Sequence, residues 1–260
     1  YRNGGINWRV IEGYGRLVAR HGAELPIAFG TRVERVDYSG KSIVVTTDRG
    51  SIAVRAVIVT VSTNLIAREA IRFVPALPDK IEAAAGLPLG IADKLYLGIE
   101  GPVEDLPHDR HLIGALDRVA TGGYQVRPHG WPMIGAYFGG ALATALEREG
   151  MDGMVAFAID ELCGLFGSAF RRRLKPLARS AWVLDPYANG SYSCALPGHA
   201  DDRLILATPV DERLFFAGEA CSVEFFGTAH GAFISAGKAA QRLIAALAIN
   251  TGKATLHATS

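Results

Sequence analysis

The sequence predicts a mixed α/β fold in which an inserted domain interrupts the first one. Helix and strand patterns alternate over the first sixty residues, and the apolar run 56–61 is typical of a strand buried in a parallel sheet. The composition also shifts near Pro75 and again near Pro197, as it does at domain boundaries. These shifts predict one discontinuous domain made of residues 1–72 and 198–250, a second domain made of residues 73–197, and a tail at 251–260.

The composition is that of an ordinary globular protein. Of its 260 residues, 49% are hydrophobic and 20% are charged, with a net charge of +1, so nucleic acid or an anionic membrane has no electrostatic reason to bind. No apolar run is long enough to cross a bilayer, and residues 1–9 lack the apolar core of a signal peptide. The three cysteines form no C-x-x-C pair, which predicts no disulfide framework, no zinc site and a cytoplasmic location.

The first part of the chain shows short elements in regular order. A helix is predicted over residues 16–21, ending near Gly22, and a strand over 31–38. A hairpin follows, in which segments 41–47 and 51–54 flank the turn Asp48-Arg49-Gly50. The apolar run 56–61 is then predicted to be a strand of a parallel sheet.

The middle of the chain has a different pattern. It predicts a helix over 79–85, a strand over 93–99, short strands within 112–138 and two helical segments, 140–149 and 154–166. The basic cluster 171–175 is interpreted as a solvated helix end. His108 and His111 lie in a loop rich in proline and glycine and lack a third ligand, so no metal site is predicted.

Near the C-terminus, a strand, a glycine turn and a helix follow one another closely. The apolar segment 214–217 predicts a short buried strand, and residues 227–231 open an alanine-rich helix with two glycines. A helix N-terminus carries unpaired N–H groups and about half a positive charge, and glycine lets a flat ligand approach the backbone. The residues alone leave two interpretations open: a site for an electron-rich ligand, or a plain glycine-rich helix start.

Together these segments resemble the flavin-dependent monoamine oxidase and polyamine oxidase family, over nearly the whole chain to about residue 247. The strongest match is the motif formed by segments 214–220, 227–232 and 235–240. The resemblance implies a Rossmann-like FAD-binding domain that is interrupted by a substrate domain of mixed sheet and helices. The domain made of 1–72 and 198–250 is then the FAD-binding one, and 73–197 is the substrate-binding one.

The resemblance also assigns roles to the C-terminal motif. In the family, the pair matched by Gly218 and Glu219 lies along the ribityl and pyrophosphate of FAD. The helix that begins near Gly227 points its first N–H groups at the pyrimidine end of the flavin. The N–H of Thr228 or Ala229 is therefore the expected donor, and it would stabilise the negative charge of the reduced flavin.

Four further residues match the family. Val33 resembles a valine whose backbone contacts the adenine, and Lys94 a lysine that holds a water near flavin N5. Trp182 lies in a segment that lines the flavin, and Tyr192 matches one aromatic wall of the substrate cage. Without the resemblance, Val33 is interpreted as an ordinary strand valine and Lys94 as a lysine of an edge strand. Trp182 and Tyr192 are then interpreted as ordinary core aromatics.

The chain also departs from the family. Thr228 stands where some relatives place a second cage aromatic, so the cage is expected to have one wall. Cys221 stands where Thr or Ser is common, and we expect it to be neutral for catalysis. The family begins with G-x-G-x-x-G, which Gly13-Tyr14-Gly15 does not reproduce. The chain is therefore expected to be the C-terminal part of an amine oxidase, and inactive alone.

The resemblance implies an FAD-dependent amine oxidase that uses a small-molecule amine and O2. A neutral amine gives hydride to flavin N5, the resulting imine hydrolyses, and O2 reoxidises the flavin with release of H2O2. The expected catalytic residues are Lys94, Tyr192 and Thr228, no metal is expected, and a homodimer is possible. A desaturase or dehydrogenase of the same fold, which would not need Lys94 or Tyr192, and a non-catalytic chain that no longer binds FAD are the alternatives.

Overall fold

The computed structural model describes the backbone of residues 10–257 and the side chains of residues 10–248. The chain divides into two units, residues 1–31 and residues 32–260. In the first unit, helix α1 (Tyr14–His21) is followed by Gly22, whose N–H donates to the Val18 carbonyl, while the N–H of Ala23 donates to the Arg20 carbonyl. This helix confirms the prediction for residues 16–21. The prediction about a signal peptide concerns residues 1–9, which lie outside the described residues.

The second unit contains strands and helices. Most of the predicted elements are present, with bounds within a few residues of the predicted bounds. In chain order they are β1 (Val33–Asp37), β2 (Ile43–Thr47), β3 (Gly50–Val54), β4 (Val57–Val59), α2 (Thr63–Ala67), β5 (Arg72–Val74), α3 (Pro78–Ala85), β6 (Ala92–Ile99), β7 (Arg110–Ile113), β8 (Gly123–Val126), β9 (Met133–Gly139), α4 (Gly140–Phe166), β10 (Leu174–Arg179), α5 (Asp202–Ala207), β11 (Leu214–Phe216) and α6 (Ala229–His257).

A four-stranded sheet with the order β3-β2-β1-β5 holds the predicted hairpin. Strands β1, β2 and β3 are antiparallel neighbours, whereas β5 joins the other side of β1 in parallel. The β-branched residues of β2 favour the strand, and its Ile43 is fully buried. One face of this sheet contributes to a hydrophobic core with Leu87, Leu206 and Phe216.

Strands β4 and β11 form a parallel pair, in which Val57 to Val59 align with Leu214 to Phe216. All three residues of β11 are buried, as expected for an apolar run in a parallel sheet. The pairing confirms the parallel strand predicted at 56–61, although the strand is only three residues long. Helix α6 packs against β11, and its Ala239 and Ala246 share a core with Phe215.

A five-stranded antiparallel sheet with the order β10-β6-β9-β8-β7 forms the middle of the chain. One face packs on α4, with fully buried residues such as Leu95, Phe138 and Leu162 between them. Within α4, Gly150 has a φ of 82° and is not helical, so the two helical segments predicted at 140–149 and 154–166 follow each other with a kink.

The predicted division into domains remains a prediction. The antiparallel sheet and α4 share one hydrophobic core, while the sheet of β1 and the strand β11 share others. The backbone of α6 is helical through His257, so the helix continues into the tail predicted at 251–260. Residues 258–260 lie outside the described residues.

Candidate active site

Lys94 lies on an interior strand of the five-stranded sheet, because β6 has β10 on one side and β9 on the other. Where β10 ends, Ser180 continues the pairing: the N–H of Lys94 donates to Ser180 Oγ over 2.8 Å, and the N–H of Ser180 donates to the Lys94 carbonyl over 2.9 Å. The side chain of Lys94 is exposed on the face opposite α4. The structure therefore excludes the interpretation of Lys94 as an edge-strand lysine.

Two serines bring the segment that follows β10 to the same end of β6. The hydroxyl of Ser180 donates to Oδ1 of the fully buried Asp93 over 2.7 Å, and the N–H of Trp182 lies 3.5 Å from the same oxygen. The hydroxyl of Ser191 lies 2.9 Å from both the nitrogen and the oxygen of Ala92. The chain from Ser180 to Ser191 is thus tied to β6 at both of its ends. Trp182 lies within this segment and Tyr192 directly follows it, so both are held near the end of β6 that carries Lys94.

Tyr192 contacts a residue that sequence reasoning missed. Its hydroxyl lies 2.9 Å from the hydroxyl of Tyr137 on β9, and Tyr137 is directly paired with Lys94 across the two strands. Tyr192 and Trp182 are 42% and 43% exposed, so neither is the core aromatic of the alternative interpretation. Tyr137 follows the in-and-out alternation of β9, and this alternation is the one sequence signal that could have placed it beside Lys94.

The C-terminal motif meets Tyr192 at Gly227. The φ of Gly227 is +68°, and a Cβ there would lie 3.5 Å from Cδ2 of Tyr192. Oε2 of Glu219 accepts from the N–H of Gly227 over 2.6 Å and from the hydroxyl of Ser193 over 2.8 Å, while Oε1 accepts from the N–H of Ser193 over 2.8 Å. Glu219 therefore ties the turn before α6 to the residue that follows Tyr192.

Arg203 is a second residue that the sequence did not reveal. It is 2% exposed, and its Nη1 donates to the hydroxyl of Ser193 over 2.8 Å and to the Ala220 carbonyl over 3.2 Å. Its guanidinium lies 4.3 Å from the ring centre of Phe226. Burial lowers the pKa of Arg203, and the Glu219 carboxylate opposes that shift. Arg203, Ser193 and Glu219 form one buried chain of hydrogen bonds behind Tyr192.

Gly218 has a backbone conformation that favours glycine. Its φ is +141°, and a Cβ built on it would meet no atom within 4 Å. The hydroxyl of Ser235 on α6 lies 3.0 Å from the nitrogen and 2.7 Å from the oxygen of Gly218. The peptide groups around Gly218 are thus fixed, and open space lies on the side where another residue would carry its side chain.

Helix α6 begins with a side-chain cap at Thr228. The hydroxyl of Thr228 accepts from the N–H of Gly231 over 3.1 Å and donates to the Phe225 carbonyl over 2.6 Å. The N–H groups of Thr228 and Ala229 find no acceptor within the part of the chain that the structure describes. Two donors and the positive end of the helix dipole therefore remain for a ligand.

Val33 belongs to a different sheet from these residues. It is the first residue of β1, it is half-buried, and β5 pairs only with Arg35 to Asp37 further along the strand. Its side chain packs against the core that contains Phe216 and Leu214. The structure places Val33 on the strand that the sequence predicted, and its contact with adenine stays a prediction.

Among the side chains of residues 10–248, no group of three or more His, Cys, Asp and Glu could hold a metal ion. His108 lies beside Asp109, with 3.4 Å between Nδ1 and Oδ2, and His111 lies on β7. Across the same described range, no helix is both long and apolar enough to cross a bilayer.

Comparison with known proteins identifies the family. Residues 1–244 match the family described as flavin containing amine oxidoreductase, and the chain belongs to it. The chain is 30% identical to polyamine oxidase 1 of Oryza sativa subsp. japonica, covering 89% of this chain and 56% of the relative. It is 29% identical to lysine-specific histone demethylase 1 homolog 1 of the same organism, covering 95% of this chain and 30% of the relative.

A solved structure has the same fold. A putrescine oxidase whose cofactor binding was redesigned superposes with a TM-score of 0.74 at 17% identity, covering 91% of this chain and 54% of that one. The mixed α/β architecture is therefore that of an amine oxidase. The chain spans between 30% and 56% of the length of these three proteins.

The residues of the C-terminal motif fit a flavin nucleotide. The open space beside Gly218 would be filled by a Cβ, and the N–H groups of Thr228 and Ala229, at the start of α6, find no acceptor among the described residues. A flavin needs both, because its flat ring must approach the backbone and its reduced form is an anion. The sequence had predicted these positions, whereas the clamp formed by Glu219, Ser193 and Arg203 became visible only in the structure.

Proposed function

We propose that this chain carries the flavin edge and the amine site of an FAD-dependent amine oxidase. The observation that supports this most is the single cluster formed by Lys94, Tyr137, Tyr192 and Gly227. Its members come from four separated segments, and three of the four were expected near a flavin from the sequence. A plain structural core would not leave two aromatic rings about half exposed beside a lysine and a glycine turn.

Seven residues would hold the cofactor. The central part of FAD would lie beside Gly218 and Glu219. Its pyrimidine edge would face Gly227 and the N–H groups of Thr228 and Ala229. The flavin ring would lie beside Trp182, and the adenine would contact Val33. Bound FAD would supply the acceptor for a hydride from the amine, and its two electrons would then go, with two protons, to O2 and give H2O2. The partial positive charge at the start of α6 would stabilise negative charge that develops at that edge.

The remaining residues would bind and orient the amine. The ring of Tyr192 gives the substrate an apolar wall, and apolar surroundings favour the neutral form of an amine, whose lone pair is needed. Lys94 would hold a water at the reacting edge, and Thr228 is small enough to leave room opposite Tyr192. In this proposal no side chain of the cluster acts as a strong acid or base on the substrate.

The experiment that tests this proposal uses the whole protein as the cell makes it. The purified protein should show flavin absorbance, and an added amine should bleach this absorbance without air and release H2O2 with air. A yellow protein that reacts with no amine among benzylamine, putrescine and spermidine would contradict the amine oxidase and favour a desaturase or dehydrogenase. A colourless protein that takes up no added FAD would contradict the flavoprotein proposal altogether.

A further inference from the structure

We propose that Tyr137 is a positioning residue that fixes the ring of Tyr192 in the substrate site, through the hydrogen bond between their hydroxyl groups. The inference rests on the proposed function, in which the ring of Tyr192 forms a wall of the amine site. The two hydroxyl oxygens are 2.9 Å apart, a normal distance for such a bond, and the residues are 55 positions apart in sequence.

The place of Tyr137 in the sheet explains why it can do this. It projects from β9, an interior strand, and the neighbouring residues Ala136 and Phe138 are buried against α4. Its backbone is therefore fixed, and its side chain must leave the opposite face. Tyr137 also pairs directly with Lys94 on β6, with their Cβ atoms about 5 Å apart by strand geometry. The same residue thus contacts Tyr192 and stands beside Lys94.

Tyr192 needs such a support. It lies in the irregular segment 181–193, between Ser191, which is tied to Ala92, and Ser193, which is tied to Glu219. These bonds fix the backbone on both sides of Tyr192, but they leave its ring free to rotate. The ring is 42% exposed and meets Gly227, which has no side chain to hold it. The hydroxyl of Tyr137 is the contact that fixes the far end of the ring.

The ionisation of Tyr137 agrees with this role. Burial, and then the hydrogen bond with Tyr192, raise the pKa of Tyr137 to about 12. Its phenol therefore stays protonated over the physiological range and can donate to Tyr192. A charged or hydrated group in the place of Tyr137 would itself interact with the amine. The neutral phenol of Tyr137 instead orients the ring of Tyr192 without binding the amine.

The first test measures the position of Tyr192 without any turnover. Tetranitromethane nitrates accessible phenols, and peptide mass spectrometry reports the rate at Tyr192 separately. We expect the Tyr137→Phe variant to nitrate Tyr192 about three- to tenfold faster than the natural protein, because one neutral hydrogen bond is lost. Tyr96→Phe is the matched control, since Tyr96 lies on the same sheet face and its pairing residue is Gly135. An unchanged rate in Tyr137→Phe would overturn the proposal.

The second test is a double-mutant cycle on anaerobic reduction by amine in the whole protein. If Tyr137 acts through the hydroxyl of Tyr192, the Tyr137→Phe/Tyr192→Phe double variant should be no slower than Tyr192→Phe alone. The loss should lie in the reduction rate, with FAD content and KM within about twofold of the natural protein. Effects that multiply would overturn the proposal, because Tyr137 would then act independently of Tyr192. If no amine reduces the natural protein, the proposed function fails, while the nitration test still decides the role of Tyr137.

Discussion

The carboxylate of Glu219 accepts a 2.6 Å hydrogen bond from the N–H of Gly227, eight residues further along the chain. The same carboxylate accepts two bonds from Ser193, so it joins the turn before α6 to the segment that carries Tyr192. Glu219 and Gly227 were both expected to contact FAD, and these contacts stay a prediction. The contacts of Glu219 within the chain suggest a further role, which is to fix the flavin-side turn and the substrate-side wall to each other.

Replacing Glu219 with Gln tests this role. The amide keeps one acceptor oxygen and places an NH2 group against a donor, so at least one of the three bonds is lost. We expect a loss of about 1–3 kcal/mol in the free energy of unfolding and faster hydrogen exchange at the amides of Gly227 and Ser193. Glu224→Gln is the control, because Glu224 is an exposed acid on the same loop. Unchanged exchange at both amides would show that Glu219 does not hold the two segments together.

Removing the aromatic wall should slow the chemistry and spare the cofactor. In the whole protein, Tyr192→Ala should lower the rate of anaerobic reduction by amine roughly ten- to a hundredfold, because the substrate loses the surface that aligns it. FAD content should stay nearly unchanged. Tyr187→Ala, an exposed aromatic of the same segment, is the control. If Tyr192→Ala loses FAD while the remaining holoprotein is reduced at the normal rate, Tyr192 is a packing residue.

Lys94→Met should affect a different step. Met has a similar length and lacks the ammonium, so a water held by Lys94 would be lost. We expect the reaction with O2 to slow more than the reaction with amine, which stopped-flow absorbance measures separately in the whole protein. Arg179→Met, on the neighbouring strand β10, is a control for the loss of a positive charge. An oxidative step that is unchanged in Lys94→Met would remove Lys94 from the mechanism.

Two glycines of α6 should respond differently to the same change. A Cβ at Gly231 would overlap the carbonyl oxygen of Phe225, which belongs to the turn that leads to Gly227. A Cβ at Gly237 would meet nothing within 4 Å. Gly231→Ala should therefore cost about 1–3 kcal/mol of stability in denaturant unfolding. Gly237→Ala should be neutral or stabilising by up to about 1 kcal/mol, because alanine favours the helix. Equal effects would contradict the tight start of α6.

The buried Glu161 on α4 predicts a pH-dependent stability. Its carboxylate accepts hydrogen bonds from Arg118, Thr121, Tyr124 and the N–H groups of Ala115 and Gly122. Burial alone would raise the pKa of Glu161, but these hydrogen bonds outweigh it and hold the pKa below its usual range. A lowered folded-state pKa contributes stability that is present above the unfolded pKa and is lost as the pH falls through the folded value.

Glu161→Gln should therefore lower the free energy of unfolding by about 1–3 kcal/mol near neutral pH. The difference from the natural protein should shrink as the pH falls below the ordinary pKa of glutamate, since the protonated acid then resembles the amide. Denaturant unfolding at several pH values measures this. Glu149→Gln, an exposed acid on the same helix, should change little at any pH. A difference that is constant with pH would show that the charge of Glu161 does not stabilise the fold.

Local patterns in the sequence were enough to predict most elements and part of the site. The period-2 alternation of β6, the β-branched hairpin of β2 and β3 and the apolar run of β11 depend on neighbouring residues alone, so each could be predicted without the fold. Gly227 and the start of α6 could be found for the same reason, because a glycine-opened helix is a local signal. The family resemblance then pointed to Lys94, Trp182 and Tyr192.

The tertiary structure alone decided which of these residues meet and what holds them. The pairing of Lys94 with Tyr137 depends on the register between β6 and β9. A shift of this register by one residue would place the two side chains on opposite faces of the sheet. The chain of Arg203, Ser193 and Glu219 joins three segments through side-chain hydrogen bonds between residues up to 26 positions apart. Such contacts leave no periodic pattern in the sequence, since each is formed only after the sheets and helices have packed.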